Sequence, residues 1–250
     1  MELSVVILSW NSLPQLRPCL ESLRPVLERP GVELIWVDNG SADGASGYVA
    51  RAFPLARRIV LPENRGVAAG RNCGLREAKG EYVLILDDDT ESTPQTIDAL
   101  AEHLRANPLC GVAACALRDS GGRLQDSFKP YPGVGVKIRN VLRSKTGLKA
   151  KETTLPEGVT HPCYVIGACQ MIRASVLRQV GLLDEHIFYG PEDADFCLRV
   201  AAAGYTVDYL PHISILHHWR RITSRSLTSA SSRRHIHALL YFWRKHHRWL

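Results

Sequence analysis

The sequence lacks the signatures of several common enzyme classes. Its glycines form neither a G-x-G-x-x-G pattern nor a Walker A loop, which disfavours a dehydrogenase or a P-loop enzyme. H-E-x-x-H and G-x-S-x-G are missing too, so the usual zinc protease and serine hydrolase sites are not expected. The seven cysteines include no C-x-x-C pair. A disulfide framework or a structural zinc site is therefore not expected, and a reducing compartment is indicated.

Long apolar runs are also missing. No window approaches the ~20 apolar residues of a membrane-spanning helix, and the N-terminus has no basic stretch typical of a secretory signal. We therefore expect a cytoplasmic protein. Hydrophobic residues make up 45% and charged residues 22% of the 250 residues, which is typical of a globular protein with a substantial core.

Acidic residues are absent after Asp208, whereas eight Lys/Arg and seven of the ten His residues lie there. The excess of positive charge therefore lies in this tail, since residues 1–208 hold 23 Lys/Arg against 25 Asp/Glu. An anionic partner is indicated: a membrane surface, a phosphorylated ligand or nucleic acid. Residues 235–247 have helical spacing and mix aromatic with basic side chains. Two interpretations remain open, since such a helix can lie on an anionic membrane or pack its aromatics on the domain.

The order of predicted elements indicates the fold class. Short apolar, β-branched runs at 3–8, 32–37, 57–61 and 82–86 alternate with helical patterns, which predicts a mostly parallel α/β sheet with helices on its faces. Residues 118–162 break this rhythm and carry eight Lys/Arg between 123 and 151, so we expect a mobile surface insert. A second block follows, with helices at 174–180 and about 192–203 and a strand at 205–210.

Polar residues follow the predicted strands, at the edge where an open parallel sheet binds ligands. They are Ser9 to Ser12, Asp38 to Ser41, Glu63 to Gly66 and the triplet Asp87-Asp88-Asp89. Adjacent carboxylates repel one another unless a cation neutralises them, and extended geometry would place Asp87 and Asp89 on one side, where they could chelate Mg²⁺ or Mn²⁺. A polar turn that caps the helix at Thr93 is the simpler alternative. A second acidic cluster, Glu192-Asp193-Ala194-Asp195, begins a predicted helix.

Five segments occur in order: VVILSWNS, LIWVDNGSADG, ENRGVAAGRNCGL, GEYVLILDDDT and GACQMIRASVLRQVGLLDEHIFYGPEDADFCLRVAAAGY. Together they resemble the family 2 glycosyltransferases of GT-A fold, and within them the rhamnosyltransferase-like branch. The resemblance covers nearly the whole chain. It implies a Rossmann-like GT-A domain with a nucleotide-sugar half (1–117), the basic insert (118–162), an acceptor and catalytic-base half (163–218), and a helical basic tail (219–250).

The resemblance also implies roles for individual residues. Those expected to contact the nucleotide sugar are Ser9, Asn11, Asp38, Asn64, Arg71, Asp87 and Asp88. Those expected to hold Mg²⁺ or Mn²⁺ are Asp87, Asp89 and His217, with His217 preferred to His218. Asp193, in the pair with Glu192, is expected to be the catalytic base. Trp219-Arg220-Arg221 replace the small residues that usually follow the family histidine.

The implied reaction is an inverting, metal-dependent transfer of a sugar such as rhamnose. The donor would be a UDP- or dTDP-sugar, and the acceptor a glycan or a lipid-linked molecule in cell-surface polysaccharide synthesis, reached at the inner face of the membrane. Nucleic acid is not expected as a partner. Two alternatives are a sugar-phosphate nucleotidyltransferase, which would need a Gly-rich, Arg-containing loop where SWNSLPQL stands, and a noncatalytic basic adaptor.

Overall fold

The centre of the protein is an eight-stranded mixed sheet, seen in a computed structural model that describes residues 1–136, 154–218 and 230–247. The strands are β1 (Leu3–Ser9), β2 (Val32–Asp38), β3 (Arg57–Val60), β4 (Tyr82–Asp87), β5 (Thr90–Glu91), β6 (Cys110–Arg118), β7 (Phe128–Lys129), β8 (Tyr164–Val165), β9 (Cys169–Arg173) and β10 (Thr206–His217). The sheet order is β3-β2-β1-β4-β9-β6-β10-β5, and β7 pairs with β8 separately.

The strand directions explain where a ligand site can form. Strands β3, β2, β1 and β4 are parallel, and so are β6 and β10. Strand β9 runs antiparallel between β4 and β6, and β5 runs antiparallel to β10. The mostly parallel sheet predicted from the sequence is thus confirmed. Strand β6 was not predicted, because its small residues, CGVAACALR, carry a weak strand signal.

Helices cover both faces of the sheet and form two cores. The helices are α1 (Leu13–Leu27), α2 (Ala45–Ala52), α3 (Val67–Leu75), α4 (Pro94–Ala106), α5 (Ala174–Val180), α6 (Glu192–Ala202) and α7 (Ala230–Lys245). Buried side chains of α1, α2 and α4 pack on one face, and those of α3, α5, α6 and α7 pack on the other. Thr93 caps α4 as predicted, because its hydroxyl accepts the Thr96 N–H.

Helix α3 approaches β1 closely because glycines face the strand. A methyl group at Gly70 would lie 2.6 Å from Leu8, and one at Gly74 would lie 2.6 Å from Val6. Gly70 and Gly74, four residues apart, therefore mark the face of α3 that packs against the sheet. The short distance between α3 and β1 determines how close the polar residues of α3 lie to the edge of the sheet.

Some apolar residues of the predicted insert pack on the domain, whereas residues 120–123 and 157–159 are exposed. Leu124, Phe128 and Tyr131 join the core on the α6 face, and the Phe128 ring lies 4.4 Å from that of Tyr209. These side chains are half-buried, and the apolar area that each removes from water stabilises this packing. Most of the predicted basic charge of the insert, from residue 137 to 151, lies outside the described residues.

The aromatic residues of the C-terminal helix pack on the domain. Phe242 is fully buried and Trp243 is 8% exposed. The Trp243 indole N–H donates to the Pro132 carbonyl at 2.9 Å. These two rings are therefore unavailable to a membrane, so the packing alternative holds for them. The basic residues at 220, 221, 225 and 248 lie outside the described residues, as do the other residues from 219 to 229.

The far end of α7 is held by ion pairs. Lys245 contacts Asp184 at 2.6 Å and Asp195 at 2.7 Å, and His246 contacts the fully buried Asp195 at 2.9 Å. The Tyr241 hydroxyl donates to Asp184. No helix in the described part of the chain combines the length and apolar character needed to cross a bilayer.

Candidate active site

The carboxyl ends of β1, β2 and β4 lie side by side and carry the polar residues singled out in the sequence. Registry pairs Ser9 with Asp38 and Leu8 with Asp87. These polar residues lie close together because parallel pairing brings the carboxyl ends of neighbouring strands to one edge of the sheet.

The turns after β1 and β2 are joined by hydrogen bonds. Asn11 donates its N–H to the Ser41 hydroxyl, and its side-chain oxygen accepts the Ala42 N–H, each at 2.9 Å. Asn11 has φ +48°, a left-handed conformation that Asn tolerates better than most residues. The Asp38 carboxylate accepts the Ser41 N–H at 2.8 Å. Both turns are thus held in place before any ligand arrives.

Ser9 and Asp38 are almost wholly buried, each 2% exposed. The Ser9 hydroxyl accepts the indole N–H of the buried Trp36 at 2.9 Å. Trp10, in contrast, is 50% exposed between Ser9 and Asn11. Of the side chains in this turn, Trp10 therefore presents a flat apolar surface to solvent at the strand edge.

Asn64 organises the loop that enters α3. Its side-chain oxygen accepts N–H groups from Gly66 and from the Asn39 side chain. Gly66 has φ +87°, and a methyl group there would lie 2.5 Å from the Phe188 carbonyl oxygen. This loop is therefore packed against the segment that precedes α6.

The aspartate triplet forms a tight turn rather than an extended strand. Strand β4 ends at Asp87, and β5 begins at Thr90. The carboxylates of Asp87 and Asp89 lie close together, as predicted. The cause is a reversal of the chain between the two residues, not the extended geometry expected from the sequence. Asp88 points elsewhere, since its carboxyl accepts the Ser12 hydroxyl. Burial, together with Asp87 and Asp89, raises the pKa of Asp88 to about 7 against the lowering by Ser12.

Asp87, Asp89 and His217 form a compact group of metal-ligand type. One ligand atom from each lies within 4.8 Å of the others, and His217 Nε2 lies 3.4 Å from Asp89 Oδ1. The antiparallel pairing of His217 with Thr90 brings the end of β10 to this turn. His218 points away and contacts Glu91 at 2.6 Å.

Gln125 fixes the orientation of the His217 ring. The Gln125 amide N–H donates to the His217 carbonyl at 2.8 Å, so its oxygen faces His217 Nδ1 at 2.6 Å. Nδ1 therefore carries a hydrogen, and in the neutral ring Nε2 presents its lone pair to the carboxylates. Burial alone would lower the pKa of His217, but Asp89 and Asp87 raise it. Two carboxylates and one such imidazole are a donor set that fits Mn²⁺ or Mg²⁺.

The second acidic cluster occupies the first turn of α6. Asp193 is partly buried and accepts the Ala194 N–H at 2.7 Å and the Gly167 N–H at 3.3 Å. Glu192 is 6% exposed and points inward. Burial and the neighbouring Asp193 carboxylate raise the pKa of Glu192. Of this pair, Asp193 is the carboxylate better placed to meet a substrate.

Arg71 joins the two acidic clusters. Its guanidinium donates to Asp87 and to the Gly167 carbonyl, and it lies 3.6 Å from Glu192. Burial alone would lower the pKa of Arg71, but Asp87 and Glu192 raise it. Arg71 lies within α3 and is 4% exposed. Its direct contacts hold Asp87 and Glu192 at a fixed separation.

The sequence did not indicate Gln125 or Gly167. Gln125 lies in a segment interpreted as an insert, and no local pattern links it to His217. Gly167 has no side chain to draw attention in the sequence, and a methyl group there would collide with the Arg71 guanidinium. Trp10 lies in a turn that the sequence singled out, but the sequence did not show that its side chain is exposed.

Comparison with known proteins gives consistent matches. The sequence model described as Glycosyl transferase family 2 matches residues 4–181. The N-acetylglucosaminyl-diphospho-decaprenol L-rhamnosyltransferase of Mycobacterium tuberculosis is 27% identical over 99% of this chain and 86% of its own length. The dTDP-rhamnosyl transferase RfbF of Shigella flexneri is 26% identical over 85% of this chain and 67% of its own length.

Solved structures show the same architecture. Mannosyltransferase PcManGT from Pyrobaculum calidifontis, in complex with GDP-Man and Mn²⁺, has a TM-score of 0.63 and 21% identity over 89% of this chain. S. aureus TarS 1-349 in complex with UDP-GlcNAc has a TM-score of 0.65 and 18% identity over 92% of this chain. The chain spans 58% and 62% of those two solved chains. At these identities the likeness concerns the fold.

Proposed function

This chain belongs to glycosyl transferase family 2, and we propose that it transfers L-rhamnose from a nucleotide diphosphate to a lipid-linked glycan acceptor, with inversion at the anomeric carbon. The family membership makes it a glycosyltransferase, and its fold is the GT-A fold predicted from the sequence. The nucleotidyltransferase and noncatalytic adaptor alternatives are therefore set aside.

The observation that carries this proposal is the pairing of two acidic clusters across one buried arginine. Arg71 contacts Asp87 in one cluster and Glu192 in the other. Transfer from a nucleotide sugar needs one site that stabilises a leaving diphosphate and another that takes a proton from the acceptor. The two clusters offer these two functions at one edge of the sheet.

Asp87, Asp89 and His217 would hold the divalent cation. When bound, Mg²⁺ or Mn²⁺ would neutralise charge on the leaving diphosphate as a Lewis acid. An imidazole ligand favours Mn²⁺ over Mg²⁺. Gln125 would keep His217 in the ligating tautomer.

Asp193 would act as the base. Its carboxylate accepts the proton of the acceptor hydroxyl as the hydroxyl oxygen attacks the anomeric carbon. The bond from that carbon to the diphosphate oxygen breaks on the opposite face, and its electron pair leaves with the diphosphate. Attack opposite the leaving group inverts the configuration, through an oxocarbenium-like transition state of the kind found in glycoside hydrolysis.

The donor and acceptor are proposed from the relatives. The Shigella relative is a dTDP-rhamnosyl transferase, which supports dTDP-L-rhamnose over a UDP-sugar. The mycobacterial relative acts on N-acetylglucosaminyl-diphospho-decaprenol, which supports a sugar diphosphate on a lipid. Such an acceptor would be met at the cytoplasmic face of the membrane. Ser9, Asn11, Asp38 and Asn64 would shape the donor pocket, with Asp88 beside the sugar.

Transfer assays with the purified chain test this proposal. We expect rhamnose transfer from dTDP-L-rhamnose to N-acetylglucosaminyl diphosphate carrying a short prenyl chain, measured by mass spectrometry, with Mn²⁺ and not with excess EDTA. Asp89→Asn should abolish transfer, whereas Asp98→Asn, the same change at a surface ion pair with Arg29, should not. Activity that survives EDTA and Asp89→Asn would contradict the metal site. If the protein neither transfers sugar from any sugar nucleotide nor hydrolyses one, the proposed function is contradicted.

A further inference from the structure

A basic groove lies between α7 and the loop that leads into α6. We name it the α7 groove; its lining includes His186, Phe188, Arg233, Arg234, His237 and Tyr241. Its volume is about 660 Å³, within the range of small-molecule sites. The part of the chain that the structure describes contributes no acidic side chain to this lining. The groove therefore offers two guanidinium groups and the His237 imidazole to one ligand, because the His186 ring already contacts Asp184 at 2.9 Å.

Ring contacts hold the walls of the groove in place. The Arg234 guanidinium lies 4.3 Å above the Phe188 ring, and the His186 ring stacks on Tyr241 at 5.4 Å. Asp184, the carboxylate behind this wall, already accepts hydrogen bonds from Tyr241 and Lys245. Its charge is thus compensated, and the wall facing the groove stays basic.

The same loop connects the groove to the active site. Phe188 precedes Asp193 by five residues, and its carbonyl accepts the Val67 N–H at the start of α3. Farther along the loop, a methyl group at Gly190 would lie 2.7 Å from the His235 ring of α7. The groove is thus built on the segment that carries the base, on the side covered by α7.

We propose that the α7 groove binds the diphosphate of the acceptor substrate, and this inference rests on the proposed function. Arginine pairs with phosphate oxygens through charge-assisted, often bidentate hydrogen bonds. In this arrangement the acceptor sugar extends from the bound diphosphate along the loop that carries Asp193, and the lipid chain leaves along the exposed face of α7. There Ile236 is 46% and Leu240 43% exposed.

The test compares two acceptors that carry the same sugar. One is N-acetylglucosaminyl diphosphate on a short, water-soluble prenyl chain, and the other is the same sugar on a neutral alkyl group. Wild-type protein should prefer the diphosphate through a lower KM. Arg233→Ala and the double variant with His237→Ala should raise the KM for the diphosphate acceptor about tenfold or more, and so remove that preference. Arg244→Ala, on the same helix and outside the groove, should retain it.

Two further measurements separate the alternatives. Anionic phosphatidylglycerol vesicles test for lipid phosphate: variants that lose vesicle binding but keep the diphosphate preference would assign the groove to lipid headgroups and overturn the proposal. An equal KM in wild type and Arg233→Ala would also overturn it. If no acceptor is glycosylated, the proposed function fails, and calorimetric binding of the soluble diphosphate acceptor still decides the groove. Wild type should bind in EDTA about tenfold more tightly than Arg233→Ala, and equal affinity would contradict the inference.

Discussion

His217 and Gln125 exchange two hydrogen bonds, although 92 residues separate them in the chain. The bond from the Gln125 amide N–H to the His217 carbonyl orients the amide, and the amide oxygen then orients the His217 imidazole through Nδ1. The predicted metal ligand His217 is thus positioned by a residue that need not touch the metal.

Gln125→Leu should weaken Mn²⁺ binding by about 10- to 100-fold, the usual effect of losing a partner behind a metal-bound histidine. The reason is that His217 Nδ1 loses its acceptor and the ring can turn. Isothermal titration with Mn²⁺ measures the effect. Gln179→Leu, at an exposed glutamine that accepts the Tyr205 hydroxyl, is the control. Unchanged Mn²⁺ affinity in Gln125→Leu would show that His217 does not bind metal through Nε2.

Asp193→Asn should leave donor binding intact and lower kcat by about 10²-fold or more, since a neutral amide cannot accept the acceptor proton. Thermal shift with donor and steady-state kinetics at saturating substrates measure the two quantities. Asp126→Asn, at an exposed carboxylate paired with Lys129, controls for the loss of one negative charge. Near wild-type turnover in Asp193→Asn would exclude it as the base.

Trp10→Ala should raise the KM for the nucleotide donor about tenfold, because stacking of an aromatic ring on a base contributes ~1–3 kcal/mol. Trp10→Phe keeps a ring and should retain most of the affinity. Leu55, 98% exposed, offers the control Leu55→Ala. If the donor KM is the same in Trp10→Ala and wild type, the indole does not contact the base.

Arg71→Gln should destabilise the protein by roughly 3–5 kcal/mol, since it leaves Asp87 and Glu192 without their shared buried cation. For a chain of this size the melting temperature should fall by about 6 °C or more. Calorimetry measures it, with Arg76→Gln as the control at a more exposed ion pair. A melting temperature within about 2 °C of wild type would contradict the bridging role of Arg71.

The contribution of Asp184 to the docking of α7 should depend on pH only in acid. Burial would raise the pKa of Asp184, but hydrogen bonds from Lys245, His186 and Tyr241 lower it below its ordinary value. A lowered pKa contributes stability that is complete above the ordinary value of about 3.9 and is lost as pH falls below it.

Hydrogen exchange of α7 measures this dependence. Protection should stay constant from pH 7 to about pH 5 and then decline toward pH 3, and Asp184→Asn should reduce it already at pH 7. Asp119→Asn, at a surface pair with Arg123, should not. Loss of α7 protection between pH 7 and pH 5 would point to a different group.

Local sequence determined much of the fold and the identity of the acidic residues. Apolar, β-branched runs specify strands buried on both faces, and parallel pairing then places Asp38 and Asp87 at one edge. These are short-range properties, because they depend on side-chain pattern and strand direction. Strand β6 escaped prediction, since its alanines, cysteines and glycine fit a helix as well as a strand.

Tertiary structure alone decided which distant residues meet. Strand β10 pairs with β5, and this pairing brings His217 to Asp89. Strand β9 pairs antiparallel with β4, and Gly167, just before β9, contacts Arg71 through its carbonyl. The same holds for the tail, where Phe242 and Trp243 could have faced a membrane but found apolar partners in the segment around Tyr131. Such contacts join residues that lie 96 or more positions apart, and the free energy of burial that selects them depends on the whole fold rather than on any local pattern.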